Sequence, residues 1–168
     1  LAEKLFAAQS ANTALEPFSL YDIFSTTDPT QGNVGNIDRD TYNLDPKSVA
    51  SKVTSKTKVV MPVSVNGNPV DLEGLRAVLP DSVRIVCDDI EALGATRNGK
   101  YVGQDIGNDI SVGGFWVSKQ VTCGGGGMVC SEDKEFTTYF EKLTRHGHGL
   151  LGDMWEQHFG FNAWLSDP

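Results

Sequence analysis

Basic residues are scarce in this chain: 14 lysines and arginines stand against 22 aspartates and glutamates, a formal net charge of −8 over 168 residues. That balance argues against nucleic-acid or anionic-membrane binding, both of which need a broad basic surface. It still permits an anionic small ligand held by a local site. Cysteine is nearly absent. Cys87, Cys123 and Cys130 are odd in number and fit no zinc spacing, so reduced thiols in a cytoplasmic protein are expected. No apolar run is long enough to cross a bilayer, and the N-terminal residues lack the charged-then-apolar order of a signal peptide. Several catalytic motifs are missing as well. The glycine run Gly124–Gly127 is followed by no Gly-Lys-Ser/Thr, no dinucleotide fingerprint joins a strand to a helix, and no Gly-x-Ser-x-Gly elbow occurs. What is present, 39% hydrophobic and 21% charged residues, is ordinary for a globular domain of this length with a proper core.

Order along the chain is uneven. Leu1 to Leu15 can be helical, and Pro17 to Gly35 is rich in Ser, Thr, Asp, Asn and Gly without periodicity, so residues 1–35 read as an irregular N-terminal segment. Beyond it, Asp45-Pro46 is a helix start, with an N-cap acceptor before a proline at the first helical position. Lys58 to Val65 is a mostly apolar run, the mark of a strand buried on both faces. Asn66-Gly67-Asn68-Pro69 is turn chemistry. Asp71 caps a second helix carrying Leu72, Leu75 and Leu79 on one side, ended by Pro80-Asp81. Val83 to Cys87 is another strand, running into Asp88-Asp89. Thr96 to Val102 is a hairpin turning at Asn98-Gly99. Ile110 to Val117 is a strand leading to Ser118-Lys119. Ser131 caps a helix whose Phe136, Tyr139, Phe140 and Leu143 keep helical spacing, with Gly147 as its stop.

Strands alternating with helices imply βαβ units, hence an α/β fold with a mostly parallel sheet and helices on both faces. Ligands in such folds sit at the carboxyl ends of the strands, where Asp88 and Lys119 are expected. Lys119, beside Phe115, Trp116 and Val117, would be partly desolvated, which favours the amine as a nucleophile; the plainer reading is a surface lysine at a strand end. Asp88 suits pairing with a cationic ring nitrogen, or is simply a cap or loop acid. Asp88 and Asp89 point in different directions, which argues against an acid/base pair. Gly124–Gly127 permits tight backbone packing near a ligand, or is a flexible loop. His146 and His148 could hold a metal only with a third ligand.

Taken in order, these segments resemble the DegT/DnrJ/EryC1/StrS family of pyridoxal-phosphate-dependent nucleotide-sugar aminotransferases, over about Asn36 to Asp167. The resemblance rests on Asp40–Pro46, Thr57–Val63 with Gly67–Asp71, Cys87–Ala95, Phe115–Lys119 with Gly124 and Gly126–Val129, Arg145–Gly147 and Gly160–Asn162. It implies a partial large domain of a fold type I transferase over residues 36–168. Lys119 would hold pyridoxal 5'-phosphate covalently and later serve as general base. Asp88 would keep the ring nitrogen protonated, Glu91 would lie near the ring oxygen where glutamine is common, and Asn162 would reach the phosphate of a neighbouring subunit. A homodimer with shared active sites is therefore implied, acting on a nucleotide-linked keto sugar with an amino-acid donor, glutamate. The alternative is a truncated, non-catalytic relative serving as a binding or assembly module.

Departures from the family pattern define what to look for. Gly114 stands where a phosphate-binding serine is usual, Gly125 where an acidic residue is, Ser64 where a histidine is frequent, and Trp164 where arginine is common. Lys119 argues against the dehydratase branch, in which that lysine becomes histidine. Members are much longer than 168 residues. The small C-terminal domain is expected to be absent, and Ser10 to Leu15 is faintly similar to the start of the phosphate-binding helix.

Overall fold

The computed structural model describes residues 36–104, 108–147, 160–161 and 163. The segment 1–35 and its possible helices, as well as His148, His158, Asn162 and Trp164, lie outside the described residues. Helix α1 (Pro46–Ala50) starts where the sequence places it, with the Asp45 carboxylate accepting the Lys47 N–H at 2.9 Å. Helix α2 (Leu72–Val78) is capped by Asp71, which accepts the Gly74 N–H at 3.0 Å, and it ends before Pro80. The two helices bury Val49, Leu72 and Leu75 against strand β2 (Arg84–Asp88), whose Ile85 and Cys87 alternate inward with Val70, Leu79 and Val83 around them.

The main sheet has the order β1-β2-β5-β6, with β1 (Val59–Val60) and β5 (Ile110–Gly114) parallel to β2 on either side. Strand β6 (Gly127–Cys130) closes the row antiparallel to β5, in register from Ser111↔Cys130 to Gly114↔Gly127. This is the mostly parallel α/β sheet that the alternation of elements predicts. The face carrying Ile85, Cys87, Ser111 and Gly113 lies toward the helical layer, and the face carrying Val86, Asp88, Val112 and Gly114 is half-buried. A small hairpin, β3 (Thr96–Arg97) and β4 (Lys100–Tyr101), turns at Asn98 and Gly99, both with positive φ, as a two-residue turn requires. Arg97 ties it to the main body through the Pro69 carbonyl at 3.2 Å.

Two expectations about strand bounds and one about burial are corrected. The run Lys58 to Val65 pairs as a strand only at Val59–Val60 and again at the single bridge Val63↔Asp88, because Pro62 has no N–H to donate. Val59 and Val60 are also half-buried rather than enclosed on both faces. The strand expected over Ile110 to Val117 stops at Gly114, and the chain then leaves the sheet in a loop that returns at Gly126. That loop is closed by Phe115 N–H to Gly126 O at 3.0 Å and Cys123 N–H to Phe115 O at 3.2 Å.

Helix α3 (Lys134–Thr144) is capped by Asp133, which accepts the Glu135 and Phe136 N–H groups at 3.0 Å each. Ser131, expected in that role, donates instead to the Asp109 carbonyl at 2.7 Å. Gly147 ends the helix as expected, donating to the Lys142 carbonyl at 2.8 Å. Asp133→Ala is expected to cost about 1 kcal/mol and lower the melting temperature by about 2–4 °C. Ser131→Ala should not reproduce the loss of α3 helicity, read as backbone amide exchange in its first turn. Among the described residues no helix is long and apolar enough to cross a membrane.

Candidate active site

The carboxyl ends of β2 and β5 form one edge of the sheet; Asp88 ends β2 there, and Glu91 and Lys119 lie in the segments that follow the two strands. The Asp88 backbone is fixed on the β1 side: Asp88 N–H donates to Pro62 O and Ser64 N–H donates to Asp88 O, both at 2.9 Å. Its side chain lies on the half-buried face, where Oδ1 accepts the Ile90 N–H at 3.2 Å. The next residue behaves differently. Asp89 is buried, with Oδ1 accepting from Ser64 Oγ at 2.6 Å and Oδ2 accepting from Ser111 Oγ at 2.5 Å. The two adjacent carboxylates therefore separate, as the sequence reading held.

Lys119 sits in the loop after β5, five positions beyond the strand end, and its side chain is half-buried. The shielding expected from its neighbours is corrected: Trp116 and Val117 are 61% and 64% exposed, because the chain turns back on itself with Lys119 N–H bonded to Trp116 O at 2.9 Å. What meets Lys119 instead is Glu91, whose Oε1 lies 3.6 Å from the lysine Nζ. Glu91 is held from two sides. Its Oε2 accepts the Asn66 N–H at 2.9 Å, and its own carbonyl accepts from Gln120 Nε2. The Asn66 N–H holds the Glu91 carboxyl below the usual carboxylate range; burial opposes this, and the nearby Lys119 ammonium reinforces it.

Asn66 can present that N–H because it turns with φ of 53°, in a turn that Asn43 pins from below. The buried Asn43 amide donates to Asn68 O at 2.9 Å, and its Oδ1 accepts the Val65 N–H at 2.9 Å. Asn43, Asn66, Ser64, Ser111 and Gln120 are thus supporting residues that sequence reasoning did not assign to the site. The turn signal at Asn66-Gly67 was readable; nothing in the sequence marked Asn43 as buried.

At Gly114 a Cβ would come within 3.2 Å of the Ile90 side chain, so any larger residue there requires Ile90 to shift. Gly127 is required more strictly, since a Cβ would meet the Gly113 carbonyl at 2.5 Å. Gly124 and Gly126 take positive φ as the loop returns to the sheet, so the glycine run serves the loop bearing Lys119. Among the described residues no group of three His, Cys, Asp or Glu is placed to hold a metal ion.

The donor set suits pyridoxal phosphate in its chemistry: one half-buried primary amine in the loop after β5, and one carboxylate on the half-buried face at the end of β2. The chain is 38% identical over 119 residues to 3-amino-5-hydroxybenzoate synthase of Amycolatopsis mediterranei, covering 70% of this chain and 30% of that one. It is 35% identical over 128 residues to GDP-perosamine synthase of Escherichia coli O157:H7, covering 74% and 34%. It therefore spans about a third of the length of these curated relatives. Among solved structures, NtdA of Bacillus subtilis with bound cofactor PMP is similar with a TM-score of 0.65 and 25% identity, over 76% of this chain and 28% of that one. Residues 33–168 match the DegT/DnrJ/EryC1/StrS aminotransferase family, and the chain belongs to it.

Proposed function

We propose that this chain is the cofactor-binding core, over residues 36–168, of a pyridoxal-phosphate-dependent aminotransferase that moves an amino group from an amino acid, glutamate, to a keto sugar carried on a nucleotide. The reading is supported by Asp88 ending β2 while Lys119 lies in the loop that follows β5 of the same sheet, in a chain of this family. The nucleotide-sugar substrate rests on the likeness to GDP-perosamine synthase.

When bound, pyridoxal phosphate supplies an electrophilic aldehyde and an electron-accepting ring. Lys119 Nζ is the amine that holds it and the base that moves a proton beside it. The Asp88 carboxylate holds a proton on the ring nitrogen. Glu91, pinned by Asn66, orients the lysine from 3.6 Å. Asn162 contributes from a neighbouring subunit toward the phosphate, in a homodimer in the cytoplasm.

The test is covalent trapping. The protein is incubated with pyridoxal phosphate, reduced with borohydride and digested, and the adduct is located by peptide mass. A single adduct at Lys119, with a visible absorbance band before reduction, is the expected result. Adducts scattered over exposed lysines, or a spectrum equal to that of free cofactor, would remove the proposal.

A further inference from the structure

Two adjacent aspartates at a strand end pose a problem of choice, because turning the backbone by one residue would exchange which carboxylate faces the ligand. The structure contains a device that settles it. The peptide group joining Asp88 to Asp89 is bonded at both ends: its C=O accepts the Ser64 N–H and its N–H donates to Val112 O, each at 2.9 Å. The Asp89 carboxylate is bonded to the same two flanking segments, through Ser64 Oγ at 2.6 Å and through Ser111 Oγ. Ser64 therefore grips both residues. Its hydroxyl also accepts the Val70 N–H at 3.3 Å, which directs its own hydrogen toward Asp89.

Ser64 and Ser111 are 1% and 4% exposed and Asp89 is 7% exposed, so the cluster lies within the layer formed by Val70, Leu72 and Cys87. Burying a carboxylate there is unfavourable unless its lone pairs are filled, and an apolar replacement of similar shape is often no less stable. What such a network does provide is direction.

We propose that Asp89 is a positioning residue: its carboxylate, clasped by Ser64 and Ser111, fixes the Asp88–Asp89 peptide plane and so holds Asp88 toward the ring nitrogen of the bound cofactor. This rests on the role proposed above for Asp88. Asp89 touches no substrate atom in it; it acts through Asp88.

The experiment measures pyridoxal phosphate affinity and the pH midpoint of the bound cofactor's absorbance in wild type, Asp88→Asn, Asp89→Asn and the double variant. Asp89→Asn is expected to weaken affinity about tenfold, the loss of one hydrogen bond to a charged group. It should also move the pH midpoint in the same direction as Asp88→Asn. In the double variant it should add nothing, because Asp88 is then no longer there to be positioned. Ser111→Ala, which leaves Asp89 in place, carries the same expectation at smaller amplitude and decides the matter if Asp89→Asn fails to fold. Wild-type affinity and midpoint in both Asp89→Asn and Ser111→Ala, or an independent additional loss in the double variant, overturns the positioning role while Asp88→Asn still shows its effect. No effect of Asp88→Asn overturns the positioning role and the assignment of Asp88 together.

Discussion

Lys119→Ala is expected to abolish covalent retention of pyridoxal phosphate, leaving no borohydride-fixed adduct on any peptide. Amino transfer should fall by on the order of 10²- to 10⁴-fold, the contribution of one positioned acid/base group. The structure gives a reason to expect loss of chemistry without loss of the fold. Lys119 lies in a loop outside the sheet, its side chain is 24% exposed, and its partner is a Glu91 side chain that is 42% exposed. An ion pair that open to water contributes at most about 1 kcal/mol. Glu91 also keeps its hydrogen bond to Asn66 when the lysine is gone. The melting temperature should therefore stay within about 2–4 °C of wild type. Lys119→Arg separates the two roles. It keeps a cation opposite Glu91 and should restore whatever the pair contributes to stability, but a guanidinium cannot hold an aldehyde as the amine does, so trapping should remain absent. Trapping that survives in either variant would show that another lysine does the work.

Legibility in the sequence followed the range of the interactions. Asp45-Pro46, Asp71 and Asn98-Gly99 announce their caps and turn because each acts within three residues, and all three act as expected. The apolar run at Val83 to Cys87 becomes a strand because burial on one layer is a local property of its alternation. Where signals competed, sequence reasoning erred. Ser131 and Asp133 are both sound N-caps, and the choice was made by the Asp109 carbonyl, 22 positions away, which engages the serine hydroxyl. The strand end at Gly114 was set by its partner: β6 reaches only Gly127 opposite it, and no pattern in Phe115 to Val117 reveals that.

The site divides in the same way. Asp88 could be placed at a strand end from pattern, whereas Lys119 lies five positions beyond the end of β5; their roles, and those of Glu91 and Asn162, came from the family resemblance. The residues that orient them act across separations of 22 to 25 positions, as Ser64 and Ser111 do for Asp89 and Asn66 does for Glu91. Such contacts leave no local mark, since a serine bound for a buried carboxylate looks in sequence like any other serine.

Asp109 is the clearest instance, and its replacement should have the largest effect on stability. It stands just before β5, and its carboxylate accepts three donors: Arg84 at 2.6 Å, the Ile85 N–H at 2.7 Å, and Arg76 of α2, from 33 positions away. One side chain thereby ties the start of β5 to β2 and to the helix covering them. Burial opposes the charge, yet the Ile85 N–H and the two guanidinium groups hold the carboxyl below its ordinary range. Asp109→Ala leaves the Ile85 N–H without its side-chain acceptor and is expected to cost about 2–3 kcal/mol, read as a fall of roughly 5–10 °C in melting temperature. Asp109→Asn keeps one acceptor oxygen and should lose about half as much.

The pH dependence has a definite sign. A carboxyl whose folded pKa is depressed contributes stability that is fully present above its unfolded value of about 4 and is lost as pH falls through the folded pKa. The gap between wild type and Asp109→Ala should therefore be constant near neutrality and narrow only below about pH 4. A gap under about 1 kcal/mol at pH 7, in the range of exposed pairs, would show that the three donors are satisfied as well by water. Asp109 would then be ornament on the fold rather than the tie between its sheet and its helix.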